Sequence, residues 1–469
     1  MSDWITAEAA ADRLGVKRAT LYAYVSRGVL VRRRAADGRG SLFDPREIDA
    51  LARRGRPRRA PGGTELVIES AITEISGGRL RYRGHEATAL AASRTFEEVA
   101  TLLWTGEFGP RPDQADAPQA GLPHRGAPLA GLPARDAPQA GPGQAGWRST
   151  PESVAVAAAA QSALPGGALP LERLAVIVPA LAATDPLRLH LDGPGVIAAG
   201  RAMIAGMVDC LPDAPATFAP RTAARGSIRG LGPTDGMQTA DRPPSRSGCV
   251  PPGQAPAGGS IAGRLWGKLC PGPPDGGLVA ALRAALVLLA DHELAASTLA
   301  ARVAASVRAD PYAVVATGLG ALGGALHGGA SLGAEGMLAA AGTPADAPRV
   351  VGDLLRTTGR VPGFGHFVYQ TGDPRAVCLL GLVAAAAPRS GRLAVADAVL
   401  AEMRRRALPE PNIDFALAVL KDVAGMISGA GEAVFAVART AGWIAHAAEE
   451  YARNIPLRPR ALYTGPGGN

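Results

Sequence analysis

The stretch Val361–Ala376, VPGFGHFVYQTGDPRA, decides how the chain is read. It sets His366 behind a Pro-Gly-Phe-Gly turn and places Arg375 nine residues later, in an Asp-Pro-Arg context. Gly363 and Gly365 permit backbone angles and close approaches that a side chain forbids, so a ligand can lie against the main chain while His366 reaches it. The guanidinium of Arg375 is a planar fork matched to a carboxylate. A proton donor beside a carboxylate clamp is a chemical arrangement. By itself, though, the stretch reads equally as a surface turn with an incidental histidine.

Four further clusters lie around it. LLADHELAAST carries Asp291, His292 and Glu293. GALHGGASLGAEGML sets His327 before two glycines and a helix-like run, and PNIDFALAVL puts Asp414 after a Pro411-Asn412 turn. The last, VFAVARTAGWIAHAAEEYARNIPLRPRALYTG, holds Arg439, His446, Arg458 and Arg460. Each has a structural alternative: His292 and His446 fit as hydrogen-bonded helix histidines, and Asp414 fits as a helix cap. The combination says more. His327, His366 and Asp414 each follow a Gly- or Pro-bearing turn, which places the side chain at an element end. Arg375, Arg439 and Arg458 supply three forks for a dianionic substrate. A carboxylate base, two histidines and an arginine cage suit enol formation followed by carbon–carbon bond formation.

The chain has 469 residues, enough for two or three domains and a large core. Cys210, Cys249, Cys270 and Cys378 are scattered without metal-ligand spacing, which predicts no metal site and suits a reducing cytoplasm. The N-terminal MSDWITAEAA lacks a basic segment followed by an apolar run, and apolar stretches such as Ala284–Ala290 are too short to span a bilayer. Charge is uneven: residues 1–60 carry +7 and the remainder +1, out of a total of +8. A nearly neutral body with a basic head points to a polyanionic partner for the head.

That head reads as a small winged helix-turn-helix over residues 1–59. Thr6 caps a helix running to about Leu14, and Gly15 ends it. A second helix follows over Lys17–Arg27 with Leu21 and Val25 inward, then two short strands around an Asp37-Gly38 turn, then a helix opened by Asp44-Pro45-Arg46-Glu47. The pattern resembles the excisionase and MerR type of module. That resemblance puts Arg18, Thr20, Tyr22 and Tyr24 on or near the groove-facing helix and gives Arg32, Arg33, Arg34 and Arg39 to DNA phosphates. The alternative is a solvated basic head used for assembly.

A linker over 60–66 leads into the body, 67–469. SAITEISGGRLRYRG predicts two short strands around Gly77-Gly78, and Thr95-Phe96-Glu97-Glu98 is a capping box. Residues 109–147, with APQAGLP, APLAGLP and APQAGPG at ten-residue spacing, and residues 213–260 read as disordered inserts. Elsewhere apolar residues recur at three and four, so the expected fold is mostly α.

The phrase ISGGRLRYRGHEATALAASRTFEEVATLLWTGEF and the five clusters resemble the citrate synthase family, and the likeness covers most of residues 67–469. It implies a two-domain helical homodimer, with a small domain at about 327–420 closing over a large one. It assigns Asp414 as the base on acetyl-CoA, His327 as the hydrogen-bond donor to the enol and His366 as the acid. It gives His292, Arg375 and Arg439 to oxaloacetate, with Arg458 reaching in from the partner subunit. Val361, Pro362, Gly363, Phe364 and Gly365 would lie near the CoA adenine. No cofactor beyond the acyl-CoA cosubstrate is implied. Many relatives carry Arg or Lys four residues after the second histidine for a CoA phosphate. Here that position is Gln370, and Phe367 follows His366 directly. Three readings stand: a citrate synthase with a DNA-binding or assembly head, a 2-methylcitrate synthase using propionyl-CoA, and a DNA-binding regulator that uses the synthase body as a metabolite sensor.

Overall fold

The structure is a computed structural model and describes residues 4–14, 21, 25, 30, 32–34, 41–45, 47–48, 68–108, 146–215, 259–369 and 371–461. The chain divides into two compact units, Met1–Glu69 and Ser70–Asn469.

In the first unit, β1 (Ile5–Thr6), β2 (Arg32–Arg34) and β3 (Ser41–Phe43) form an antiparallel sheet in the order β1-β3-β2. Thr6 accepts the Ala9 amide at 3.3 Å and opens α1 (Ala7–Leu14), as its position before an apolar-periodic run predicts. Ala7, Ala10, Ala11, Leu21, Leu30, Phe43 and Ile48 make a small core, with Val25 packed on it. Strands β2 and β3 fall where the sequence predicts two short strands, and Arg32 and Arg33 are exposed. The pairing of β1 with β3, Ile5 opposite Phe43, has no counterpart in the sequence reading. Arg18, Thr20, Tyr22, Tyr24, Arg39 and the 60–66 linker lie outside the described residues.

The second unit opens with a hairpin, β4 (Thr73–Ser76) and β5 (Arg79–Tyr82), to which β6 (His85–Glu86) adds. Helices α2 (Ala87–Ser93) and α3 (Phe96–Thr105) follow. The capping box of α3 is formed as read: the Glu98 amide reaches Thr95 Oγ1 at 3.2 Å, and the Thr95 amide reaches the Glu98 carboxylate at 2.8 Å. Then come α4 (Pro151–Ser162), α5 (Pro170–Ala183), α6 (Gly193–Asp209), α7 (Ile261–Leu269), α8 (Gly276–Leu289), α9 (Ala296–Ser306) and α10 (Pro311–Leu322). Next are α11 (Gly329–Ala340), α12 (Ala347–Thr358), α13 (Pro374–Ala386), α14 (Gly391–Arg405), α15 (Ile413–Ala424) and α16 (Ala430–Arg453). Most of residues 109–147 and 213–260 fall outside the described residues. At their edges, Trp147 stacks on Trp104 with centroids 5.6 Å apart, and Lys268 pairs with Asp213 at 2.8 Å.

Helix α16 explains the packing. Every residue from Ala430 to Ala447 is buried, so it is a core helix wrapped on all sides rather than a surface helix with one apolar stripe. Helices α3, α5, α6, α8, α9 and α10 all lie against it. Such close approach needs small residues at the crossings. A Cβ at Gly442 would fall 2.2 Å from Asp291 Oδ1 and 2.6 Å from the Ala290 carbonyl oxygen, which accepts the Gly442 amide at 2.9 Å. Among the described residues no helix is long and apolar enough to cross a membrane, and no cluster of His, Cys, Asp and Glu is arranged to hold a metal ion.

The Gly442 contact has little room to give, because one neighbour is the Ala290 backbone carbonyl and the other is the short, fully buried side chain of Asp291. Gly442→Ala is expected to lower unfolding stability by about 2–3 kcal/mol, the cost of overpacking a core position. Chemical denaturation monitored by circular dichroism reads this directly, and an unchanged midpoint would contradict the packing described.

Candidate active site

Residues 361–366 cross the loop that precedes α15. The Gly365 amide donates to the Glu410 carbonyl at 2.8 Å, and the Asn412 amide donates to the Gly363 carbonyl at 2.9 Å. Asn412 Nδ2 adds a bond to the Gly365 carbonyl at 2.9 Å. Gly363 sits at φ +83° with the position of a Cβ only 2.9 Å from Phe415 Cβ, so glycine is required on both steric and conformational grounds. The crossing, with Phe364 bridged antiparallel to Pro411, ties the segment that carries His366 to the start of α15, which carries Asp414. Asn412 caps α15 through the Asp414 and Phe415 amides, so Asp414 lies inside the first turn and is not itself the cap.

The three histidines are held as neutral rings. His366 Nδ1 accepts from the Val368 amide at 3.0 Å, with the Tyr369 amide at 3.4 Å. Backbone amides can only donate, so the shorter contact makes Nδ1 the acceptor and puts the proton of the neutral ring on Nε2, with Arg375 Nη2 at the longer distance of 3.5 Å from Nε2. Burial, then the charge of Arg375, pulls the ring down to about 4. His327 closes the loop between α10 and α11, with Nε2 2.8 Å from Ser297 Oγ, and burial followed by Arg439 likewise brings it down to about 4. His292 is held well below its ordinary range, first by burial and then by Arg375 and Arg439. Its Nε2 lies 3.0 Å from the Tyr369 hydroxyl, and its ring meets that of His366 edge-on at 5.3 Å.

The two buried arginines differ. Arg375 is 2% exposed, and its fork is already taken: Asp373 accepts Nε at 3.0 Å and Nη2 at 2.8 Å. The open clamp read from the sequence is therefore half filled from within the chain. Burial works against the charge on Arg375, but the pairing outweighs it and strengthens its hold on the proton. Arg439 is 1% exposed and bonds only through Nε, to the Leu289 carbonyl at 2.9 Å. Its Nη1 and Nη2 are buried with no partner among the described residues, and burial lowers the group to about 10. A buried guanidinium with two idle nitrogens is poised for an anion. Asp414 has the reverse problem: Oδ1 is buried and unpartnered, and burial pushes the carboxyl up to about 7. Arg375 opposes that rise and Asp373 adds to it.

Behind His292 lies a buried polar chain on α9 and α16. Arg302 donates to Glu450 and Glu449, and Nη1 stands 2.6 Å from His446 Nδ1. His446 Nε2 is in turn 3.3 Å from Asp291 Oδ2. His446 is thus a satisfied helix histidine. Tyr82 supports the same turn, with its hydroxyl donating to the Leu288 and Asp291 carbonyls at 3.1 and 3.0 Å. Arg458 lies exposed beyond α16. Of the expected CoA stretch, Val361 is buried and Phe364 packs on Phe415 with centroids 4.8 Å apart. Phe367 is 91% exposed beside His366, and Gln370 lies outside the described residues. Asp373, Tyr369 and Ser297 were not singled out from sequence. Only Asp373 carries a local sign, as the cap of the Asp-Pro-Arg helix start.

A helical body thus holds three histidines lowered by burial, a carboxyl raised by burial and a guanidinium fork with two nitrogens unfilled among the described residues. The chain belongs to the citrate synthase family: the family model "Citrate synthase, C-terminal domain" matches residues 63–460. It is 39% identical over 195 residues to "Citrate synthase 2" of Bacillus subtilis (strain 168), covering 40% of this chain and 51% of that one. The chain thus spans about half the length of that relative. It is 28% identical over 417 residues to "2-methylcitrate synthase" of Mycobacterium tuberculosis (strain ATCC 25618 / H37Rv), covering 87% of this chain and 91% of that one. The fold matches the crystal structure of citrate synthase from Thermotoga maritima MSB8 with a TM-score of 0.60 at 24% identity, over 88% of this chain and 96% of the other. It also matches the citrate synthase of Thermoplasma acidophilum, solved with carboxymethyl coenzyme A and oxaloacetate, with a TM-score of 0.61 at 22% identity, over 86% and 95%.

The two arginines predict opposite behaviour on truncation. Arg375→Met strands a buried Asp373 and is expected to cost about 3–5 kcal/mol of stability. Arg439→Met removes an unpaired buried charge and is expected to change stability by less than about 1 kcal/mol. Equal losses in urea denaturation of the two variants would contradict this assignment.

Proposed function

We propose that this protein is a citrate synthase-type acyltransferase that condenses acetyl-CoA with oxaloacetate and water to give citrate and CoA. The observation that carries the reading is the unfilled pair of guanidinium nitrogens on Arg439, buried where its charge is felt by His292, His327 and Asp414. A dicarboxylate keto acid fits there, one carboxylate on Arg439 and the other facing His292 and the remaining edge of Arg375. Arg458 of a second copy would complete the cage, which makes the working unit a homodimer.

Each step uses a group in the state described. Asp414, as carboxylate, takes a proton from the methyl group of the thioester. A Ser297 hydroxyl that donates to His327 Nε2 leaves Nδ1–H of that ring to hydrogen-bond the thioester oxygen as the enol forms. The enol carbon attacks the keto carbon of oxaloacetate. His366 donates its Nε2 proton to the developing alkoxide, which yields the citryl thioester. Water then cleaves the thioester and releases the CoA thiol. Closure of a small domain at about 327–420 would keep water out until the carbon–carbon bond is made. Location in the cytoplasm fits this chemistry.

The match to a 2-methylcitrate synthase along 87% of the chain favours propionyl-CoA as a second acyl donor. One extra methylene is worth only about 1–3 kcal/mol in an apolar pocket, so both thioesters belong in the assay. The +7 charge of residues 1–60 and the exposed Arg32 and Arg33 support DNA binding by the N-terminal unit, either beside catalysis or with the body as a metabolite sensor. A gel shift that weakens steeply with salt supports that role, and turnover intact after deletion of residues 1–60 separates it from catalysis.

CoA-thiol release by purified protein, given oxaloacetate with acetyl-CoA or propionyl-CoA, tests the enzyme directly. Turnover is expected with at least one thioester, and Asp414→Asn is expected to lower kcat by about 1,000-fold or more, as loss of an essential base does. No turnover by folded protein with either thioester would end the enzyme reading. The base must be ionised, and burial holds Asp414 at about 7, so activity is expected to rise with pH through that value. A kcat/KM profile that stays flat between about pH 6 and 8 would remove Asp414 from the role.

A further inference from the structure

Three aromatic side chains stand in a triangle at the candidate site. The ring centroids of His292 and His366 are 5.3 Å apart, those of His292 and Tyr369 5.5 Å, and those of His366 and Tyr369 4.8 Å. Tyr369 is 3% exposed, and its hydroxyl lies 3.0 Å from His292 Nε2. Its backbone amide points at His366 Nδ1 from 3.4 Å, and the guanidinium carbon of Arg375 sits 5.4 Å above its ring. One residue therefore touches both histidines and the arginine. Burial pushes the phenol up to about 12, so it stays protonated at neutral pH. Burial also keeps the His292 ring neutral, with one N–H and one lone pair to offer. A phenol hydrogen-bonded to a neutral imidazole serves either tautomer and pins the ring plane.

We propose that Tyr369 is the positioning residue of the condensation site. Its hydroxyl fixes the His292 ring for the keto acid, and its ring keeps His366 and Arg375 in facing positions. This rests on the enzyme reading given above. No bond to substrate is made or broken by Tyr369; it acts through the groups it orders. The two contributions are separable. The hydroxyl bears on His292, hence on keto-acid affinity. The ring bears on His366, hence on turnover.

The test uses the full chain with Tyr369→Phe and Tyr369→Leu. Loss of one neutral hydrogen bond corresponds to about fivefold in affinity. Tyr369→Phe is therefore expected to weaken oxaloacetate binding about fivefold by calorimetry and to leave kcat within about twofold. Tyr369→Leu is expected to lose kcat by about tenfold or more as well, because the ring packing goes with it. The imidazole ¹⁵N signals give a readout free of turnover: in Tyr369→Phe those of His292 should move, while those of His327, whose partner is Ser297, should stay. Wild-type affinity in Tyr369→Phe with unmoved His292 signals overturns the proposal. If Tyr369→Leu does not fold, the phenylalanine variant and the ¹⁵N signals decide. If wild-type protein neither binds nor turns over oxaloacetate, the enzyme reading fails. Unmoved His292 signals would then overturn the positioning role independently.

Discussion

One buried carboxylate ties the site together. Asp373 is 1% exposed and accepts four N–H groups: the Arg375 amide at 3.0 Å, Arg375 Nε at 3.0 Å and Nη2 at 2.8 Å, and the Ile413 amide at 3.1 Å. Such a charge is costly in a core unless its lone pairs are used, and here they are. The bonds join the start of α13 to the start of α15. Arg375 is thereby aimed past His366, and Ile413 is fixed next to Asp414. Two clusters far apart in sequence become one surface through a single side chain.

Arg439 shows the opposite economy. A fold selected only for stability does not leave two guanidinium nitrogens buried and unpaired. The conflict is local, and the same charge depresses His292 and His327 while it opposes the rise of Asp414. Burial first, and the field of the two arginines after it, thus hold the imidazoles toward the neutral form. Neutral imidazoles can donate hydrogen bonds without adding positive charge to a site that already holds two guanidinium groups. Local strain against stability of this kind is expected where function is carried.

Much of this was legible from the chain itself, and the reason is locality. The Thr95–Glu98 capping box, the Gly77-Gly78 hairpin and the Thr6 cap involve residues a few positions apart, so their signals are intact in sequence. The same holds for His327, His366 and Asp414, each marked by a Gly- or Pro-bearing turn. What escaped the reading is long-range. His292 meets Tyr369 across 77 positions, His327 meets Ser297 across 30, and Arg302 meets Glu450 across 148. No local pattern announces such pairs. Asp373 was hidden differently: it caps α13 through the Arg375 amide, a bland role that its longer-range bonds exceed. The two-residue β1 was too short for any alternation to show.

The central claim is that a dicarboxylate fills the Arg439 fork and that Asp414 then removes a carbon-bound proton. Deuterium exchange into the methyl group of acetyl-CoA in D₂O, followed by NMR with a four-carbon dicarboxylate that lacks the reactive ketone, isolates that step from condensation. The account predicts exchange that needs the dicarboxylate and disappears in Asp414→Asn. Exchange that persists in Asp414→Asn, or none in wild-type protein shown to bind both ligands, would contradict it.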